Sequence, residues 1–194
     1  MNTNKSYSPI NITKMKILKR VLIAIVLLVV LVLVVAAIAP KKYVVEREVI
    51  INQPTTEVFE YVKFLQNQDN FSTWANMDPQ MEKTFEGTDG VVGFVSAWKS
   101  ENRDVGRGEQ EIMRISDGER IDYELRFFEP WEATNQAYIL TENIGENETL
   151  VKWGFNGSMS YPSNLMLLAM NMDEMLGGDL EKGLDNLKII LEKY

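Results

Sequence analysis

The stretch DGERIDYELRFF, residues 117–128, alternates apolar and charged side chains directly after an Asp-Gly pair. Asp-Gly is typical of a tight β-hairpin turn, because glycine readily adopts the positive φ that such a turn needs. The period of two places one face of the strand in a core and the other in water. The face predicted to be buried carries Ile121, Tyr123, Leu125 and Phe127.

Similar short strands extend from this hairpin in both directions. Between Met81 and Ser160, glycine, aspartate and asparagine recur at the regular intervals expected of turns in a β-meander. The segment Tyr43–Asn52 also alternates, and Pro54 then opens a helical pattern. The pattern predicts an antiparallel sheet with one covered face.

A long C-terminal helix is predicted to cover that face. We expect it to run from Ser163, as N-cap, to Tyr194, broken or bent near Gly177-Gly178. Its second half has an amphipathic leucine stripe, and its Met-rich first half is apolar almost all round, which predicts burial on several sides. The sequence therefore predicts an α+β fold, a curved antiparallel sheet of about seven strands around a C-terminal helix.

An unbroken apolar run, Val21 to Ala39, precedes this domain. At the helical rise it spans about 28 Å, close to the hydrocarbon core of about 30 Å. We therefore predict a basic cytoplasmic tail over residues 1–20, a transmembrane helix over 21–39 and a soluble domain over 43–194. A cleaved signal peptide is the alternative, but its apolar region is shorter and Pro40 would hinder cleavage.

Lysine and arginine flank the apolar run unequally, with five cations before it and three just after it. This bias favours a cytoplasmic N-terminus. We therefore predict a single-pass membrane protein in a plasma membrane of bacterial type, with its domain outside the cytoplasm.

Charge and composition exclude several classes of function. The residues after position 42 carry 28 acidic and 13 basic side chains, a formal charge of −15, which disfavours nucleic acid as a partner. The chain has no cysteine and no histidine. Disulfides, thiolate nucleophiles, imidazole metal ligands and a Ser-His-Asp triad are thereby excluded, and we predict neither a metal nor a cofactor.

A curved sheet that grips a helix leaves room for a pocket between the two layers. We expect a wall of aromatic residues and methionines, whose flexible side chains suit apolar guests of irregular shape. The candidate lining residues are Phe94, Trp98, Tyr123, Phe127, Trp153, Met159, Met166 and Met170.

Three stretches together resemble the SRPBCC superfamily of START-like, polyketide-cyclase-type domains. They are REVIINQPTTEVFEYVKFLQNQDNFSTW (residues 47–74), GTDGVVGFVSAWKSENRDVGRGEQEI (87–112) and GGDLEKGLDNLKIILEKY (177–194). The resemblance covers about residues 43–194. It implies the helix-grip fold and a deep apolar pocket for lipids, polyketides or sterol-like molecules, without fixing one activity.

The leading hypothesis is membrane-tethered binding or transfer of a hydrophobic small molecule or lipid. A cyclase-like or hydrolase-like enzyme is an alternative, since a carboxylate in an apolar pocket can act as a general acid. Its candidate residues are Tyr123, Glu109, Glu111, Arg114 and Asp173 or Glu174.

A protein-interaction or stress-response module is the third hypothesis. It would use the segment FFEPWEATN, Phe127 to Asn135, which contains Trp131. An exposed Trp131 would mark an interface, whereas a buried one would close the end of the sheet. We expect it to be buried.

Overall fold

The structure, a computed structural model, describes residues 12–193, with side chains described from residue 15 onward. Most of the predicted basic tail, residues 1–11, lies outside the described residues. Four α-helices are present in the described part of the chain: α1 (Ile12–Ile38), α2 (Thr55–Val62), α3 (Gln68–Phe71) and α4 (Met172–Leu191).

Seven strands form one antiparallel sheet in the order β1-β7-β6-β5-β4-β3-β2. Together with α4 they confirm the predicted α+β, helix-grip class. The strand bounds are β1 (Lys42–Ile51), β2 (Glu82–Glu86), β3 (Val95–Lys99), β4 (Arg107–Ser116), β5 (Arg120–Glu129), β6 (Ala133–Gly145) and β7 (Glu148–Ser158).

The Asp117-Gly118 hairpin joins β4 to β5 as predicted. Ser116 pairs with Arg120 across the turn, and Gly118 has φ of 75°. Ile121 and Tyr123 alternate inward into the core of the fold. The period-two pattern therefore fixed both the strand and its buried face.

Helix α4 lies against the inner face of the sheet. Leu180, Leu184 and Leu187 are buried there, as the amphipathic stripe predicted. Burying one leucine side chain stabilises a fold by about 1.5–3 kcal/mol. These three side chains therefore hold the helix on the sheet.

The C-terminal helix begins later than predicted and is not broken at the glycine pair. Asn171 is its N-cap and accepts a hydrogen bond from the backbone N–H of Glu174 at 3.4 Å. Gly177 and Gly178 lie inside the continuous helix. A Cβ on Gly177 would lie 2.0 Å from Arg47 Nη2, so this glycine makes room for a guanidinium group.

The Met-rich segment before α4 is not buried on several sides, contrary to the prediction. Ser163–Leu168 forms a 3-10 helix at the end of the sheet instead of lying over the sheet. Met166 and Leu168 are 50% and 58% exposed, and Met175 in the first turn of α4 is 52% exposed. Asn164 is the buried residue of the 3-10 helix.

Helix α1 covers residues 21–38 of the predicted span and begins earlier, at Ile12, within the predicted tail. Met15–Ile38 has a mean hydropathy of 3.7 and is long and apolar enough to cross a membrane. A helix of this kind near an N-terminus is either a membrane span or a signal sequence. Ala36 and Ala39 at its C-terminal end are buried against the domain.

Candidate ligand cavity

A cavity of about 320 Å³ lies between the inner face of the sheet, α4 and the segment that joins α2 to β2. This volume is at the lower end of the range typical of small-molecule sites. The lining residues are mostly apolar. They include Leu65, Gln68, Trp74, Ser96, Trp98, Leu125, Phe127, Ala137, Trp153, Phe155, Leu176 and Leu180.

Of the predicted lining residues, Trp98, Phe127 and Trp153 lie on the cavity wall. Trp98 and Phe127 meet edge to face, with ring centroids 5.8 Å apart. A Cβ on Gly108 would lie 2.6 Å from the Trp98 ring, so glycine at this position of β4 lets the indole lie flat across the sheet.

Trp153, on β7 of the sheet, contacts the segment that contains α3 and also helix α4. Its ring makes edge contacts with Phe71 and Trp74, at centroid distances of 5.5 and 6.0 Å. A Cβ on Gly183 of α4 would lie 2.7 Å from the Trp153 ring. Trp153 is thus held on several sides, which gives the cavity a rigid aromatic wall.

The other five predicted residues lie outside this lining. Phe94 and Tyr123 are buried in the core, where Phe94 stacks on Phe85 at 6.1 Å. Met159, Met166 and Met170 follow the end of β7, where the chain turns toward α1 and away from the cavity. The wall is therefore aromatic and aliphatic, and Met81 is the methionine in it.

Gln68 is a polar lining residue that the sequence analysis missed. It is only 8% exposed, and its Nε2 makes no hydrogen bond of normal geometry with the described residues, although the side chain lies close enough to the Tyr123 hydroxyl to affect the pKa of that group. Burying an amide donor without a partner costs about 1–3 kcal/mol. Its spacing of three from both Leu65 and Phe71, which are buried, is the signal that could have revealed it.

Charged groups lie toward the open side of the cavity. Lys83 of β2 pairs with Asp69 of α3 at 2.7 Å, and both side chains are partly exposed. Asp104, in the β3–β4 connection, is an exposed lining residue. We call the side of the cavity lined by the buried Gln68 its inner end and the side lined by the exposed Asp104 its outer end.

The residues proposed for acid–base chemistry do not line this cavity. Glu109 and Glu111 bind Arg126, at 2.6 and 2.7 Å, and their side chains alternate with the cavity-lining Gln110 on β4. Burial raises the pKa of Tyr123, whose hydroxyl lies 3.5 Å from the Val62 carbonyl oxygen.

The remaining candidates for acid–base chemistry are at the surface. Asp173 pairs with Arg47 at 2.8 Å, and Arg114 and Glu174 are exposed. Among the residues that the structure describes, no cluster of three or more His, Cys, Asp or Glu side chains could hold a metal ion.

Trp131 is 80% exposed in the β5–β6 connection, contrary to the expected burial. The turn at Glu129-Pro130 ends β5 before this residue. Its indole ring therefore remains available to a surface partner.

Comparisons with solved structures identify the fold. Truncated norcoclaurine synthase from Thalictrum flavum superposes with a TM-score of 0.59 at 8% identity, over 81% of this chain and 98% of that one. The protein CV1439 from Chromobacterium violaceum gives 0.55 at 12%, over 78% and 98%. Aha1 from Colwellia psychrerythraea gives 0.50 at 12%, over 78% and 97%.

These neighbours have helix-grip, SRPBCC-type folds. At such low identity the likeness shows the fold alone. No protein-family model matches this chain, and no curated protein matches it by sequence.

Proposed function

We propose that this protein holds a hydrophobic small molecule or a lipid in the cavity and is tethered to a membrane by α1. The observation that carries the proposal is an aromatic and aliphatic cavity of about 320 Å³ between the sheet and α4. Norcoclaurine synthase, a neighbour in fold, has been solved with dopamine and hydroxybenzaldehyde bound. That complex supports a small-molecule occupant for this kind of fold.

Gln68 narrows the chemistry of the occupant. Its Nε2 makes no hydrogen bond of normal geometry within the described residues, so a ligand oxygen could accept from it in competition with the nearby Tyr123 hydroxyl. A purely aliphatic ligand would leave this donor with the weak Tyr123 contact alone. The ligand class is therefore an apolar molecule that carries one acceptor, such as a carbonyl or hydroxyl oxygen, at its inner end.

The contact between α1 and the domain supports a retained anchor. Asn164 Nδ2 donates to the carbonyl oxygens of Ala36, at 2.7 Å, and of Ala39, at 3.2 Å. Cleavage after Ala39 would remove these two acceptors and leave the buried amide with the Pro40 carbonyl oxygen alone, at 3.4 Å, which is costly. A tether also raises the local concentration of the domain near the membrane, where apolar ligands dissolve.

The proposed topology places the N-terminus in the cytoplasm and the domain outside it. The expected result is activity of an alkaline phosphatase fused to the C-terminus, since that enzyme folds only outside the cytoplasm. Green fluorescent protein does not become fluorescent when it is exported through the general secretion route, so a bright C-terminal fusion would contradict this orientation.

Ligand binding can be measured with the tryptophans that line the cavity. Three of the four tryptophans, Trp74, Trp98 and Trp153, are lining residues, and Trp131 is not. In the full chain carrying Trp131→Phe, reconstituted in phosphatidylcholine nanodiscs, a brominated long-chain alcohol should quench the remaining fluorescence in a saturable way.

Ser96 and Ala97 provide a matched pair of variants for this titration. They are neighbours on β3 and point to opposite faces, and Ser96 is the one that lines the cavity. Ser96→Phe should abolish saturable quenching because the ring fills the cavity, whereas Ala97→Phe should preserve it. Equal quenching in both variants would overturn the proposal.

A further inference from the structure

One end of the sheet gathers three features of the fold. Lys42, where α1 leads into β1, pairs with Ser158 at the end of β7. The 3-10 helix Ser163–Leu168 follows β7 directly, and the β5–β6 connection with Trp131 lies at the same end because adjacent strands are antiparallel. We call this the α1 end of the domain.

Asn164 fixes the position of the 3-10 helix relative to α1. Its side chain is fully buried and donates to the carbonyls of Ala36 and Ala39, which lie at the end of α1. The last carbonyls of any helix lack partners within the helix, so this amide serves as their cap. The 3-10 helix is thereby held at the depth where α1 ends.

The segment around this cap exposes apolar side chains. Tyr161, Met166 and Leu168 are each about half exposed, and Ile38 at the end of α1 is 81% exposed. Apolar groups that are contiguous and uncovered mark a contact surface. Tyrosine and tryptophan are also the residues preferred at the level of lipid headgroups.

We propose that the segment Tyr161–Leu168, together with Trp131, inserts into the interfacial layer of the membrane that α1 spans. The inference rests on the proposed tether. Lipid is the occupant because the surface is continuous with the end of an apolar helix that is exposed along its length. A protein partner would have to compete with the bilayer for the same position.

The outer end of the cavity then faces the membrane. Asp104 and Val105, both lining residues, belong to the connection between β3 and β4, which lies at the α1 end of the sheet. Leu176, near the start of α4, lines the cavity as well. A ligand would pass between the lipid and the cavity without crossing bulk water.

Charge does not drive this contact. The soluble part of the chain is strongly acidic and would be repelled by anionic lipid, while Lys41 and Lys42 lie next to the surface. Insertion should therefore depend on apolar burial and occur on zwitterionic lipid. Phosphatidylcholine is accordingly the lipid for the test.

The absence of cysteine from the sequence makes single-site labelling direct. Met166→Cys and Leu168→Cys would each carry a fluorophore in the full chain, reconstituted in phosphatidylcholine nanodiscs. Val26→Cys, in the middle of α1, reports on the tether. Val92→Cys is the matched control, because Val92 is 56% exposed and lies in the β2–β3 connection at the opposite end of the sheet.

Lipids with a nitroxide near the headgroup should quench labels at positions 166 and 168 several-fold more than the label at 92. Lipids with a deep nitroxide should quench the label at 26. If position 26 is quenched while 166 and 168 behave like 92, the tether stands and this inference is wrong. If position 26 is not quenched, both fail, and strong quenching at 92 would also overturn the proposed orientation.

Discussion

The two ends of the domain use their apolar residues differently. At the end far from α1, the β4–β5 and β6–β7 hairpins close the sheet over buried side chains such as Ile121, Val151 and Leu187. At the α1 end the layers separate around a cavity, and Trp131 and Leu168 remain in contact with solvent. Apolar side chains stabilise the fold at the first end and remain available for a ligand and a lipid surface at the second.

The largest contrast is expected between two leucines, one at each end. Leu187→Ala should lower the free energy of unfolding by about 2–5 kcal/mol, because it removes a fully buried side chain and leaves a cavity. Leu168→Ala should change it by less than about 0.5 kcal/mol. Urea unfolding of the full chain in nanodiscs, followed by tryptophan fluorescence, measures both, and losses of similar size would remove the contrast.

The cap on α1 should have a local effect. Asn164→Ala removes the donor to the carbonyls of Ala36 and Ala39, and should lower the free energy of local opening by about 1–3 kcal/mol. Hydrogen exchange should accelerate in residues 161–170 and not in the core strands. The exposed neighbour Ser163→Ala is the control, and unchanged exchange in the Asn164 variant would contradict the proposed docking of α1.

A stabilising change is expected inside α4. Gly178 has no atom within 4 Å of an added Cβ and lies within a continuous helix. Gly178→Ala should therefore raise the free energy of unfolding by about 0.5–1 kcal/mol, since alanine loses less conformational entropy in a helix. A loss of stability in urea unfolding would indicate the bend that the sequence alone suggested.

The smallest effect concerns pH and the ion pair between β1 and α4. The hydrogen bond from Arg47 holds the pKa of Asp173 below its ordinary value of 3.8. A lowered pKa stabilises the fold above about pH 4, and the contribution disappears as the pH falls through the folded-state pKa. Asp173→Asn should be slightly less stable than the parent at pH 7, with a difference that shrinks in acid.

The adjacent acidic residue provides the control for this pH series. Glu174→Gln removes one negative charge, as Asp173→Asn does, at the next position of α4. At each pH its free energy of unfolding should stay closer to that of the parent protein than the value for Asp173→Asn does. If the two variants lose equal stability at every pH, the ion pair has no specific role.

Periodicity predicted the elements whose residues repeat regularly. The alternation of residues 117–128 specified β5, and the leucine stripe specified the buried face of α4. Periodicity could not predict the start of α4, because Ser163 and Asn171 are both good N-cap residues and the run between them suits a helix. The later start of α4 depends on tertiary structure, because Asn164 donates a hydrogen bond to the end of α1.

The cavity was predicted only in part. Alternation places Tyr123 and Phe127 on the same inner face, but it cannot distinguish a side chain that packs into the core from one that faces a void. Tyr123 packs in the core and Phe127 faces the cavity. Gln68 was missed because a polar residue in a polar stretch gives no sign of burial unless its spacing from Leu65 and Phe71 is considered.

Native mass spectrometry of the full chain, released from nanodiscs after gentle purification, tests the central claim most directly. The parent and Ala97→Phe should carry a bound apolar molecule of defined mass with at least one oxygen acceptor, and Ser96→Phe should be free of it. A parent chain without any bound molecule, or one whose ligand persists in Ser96→Phe, would contradict the account of the cavity as a binding site.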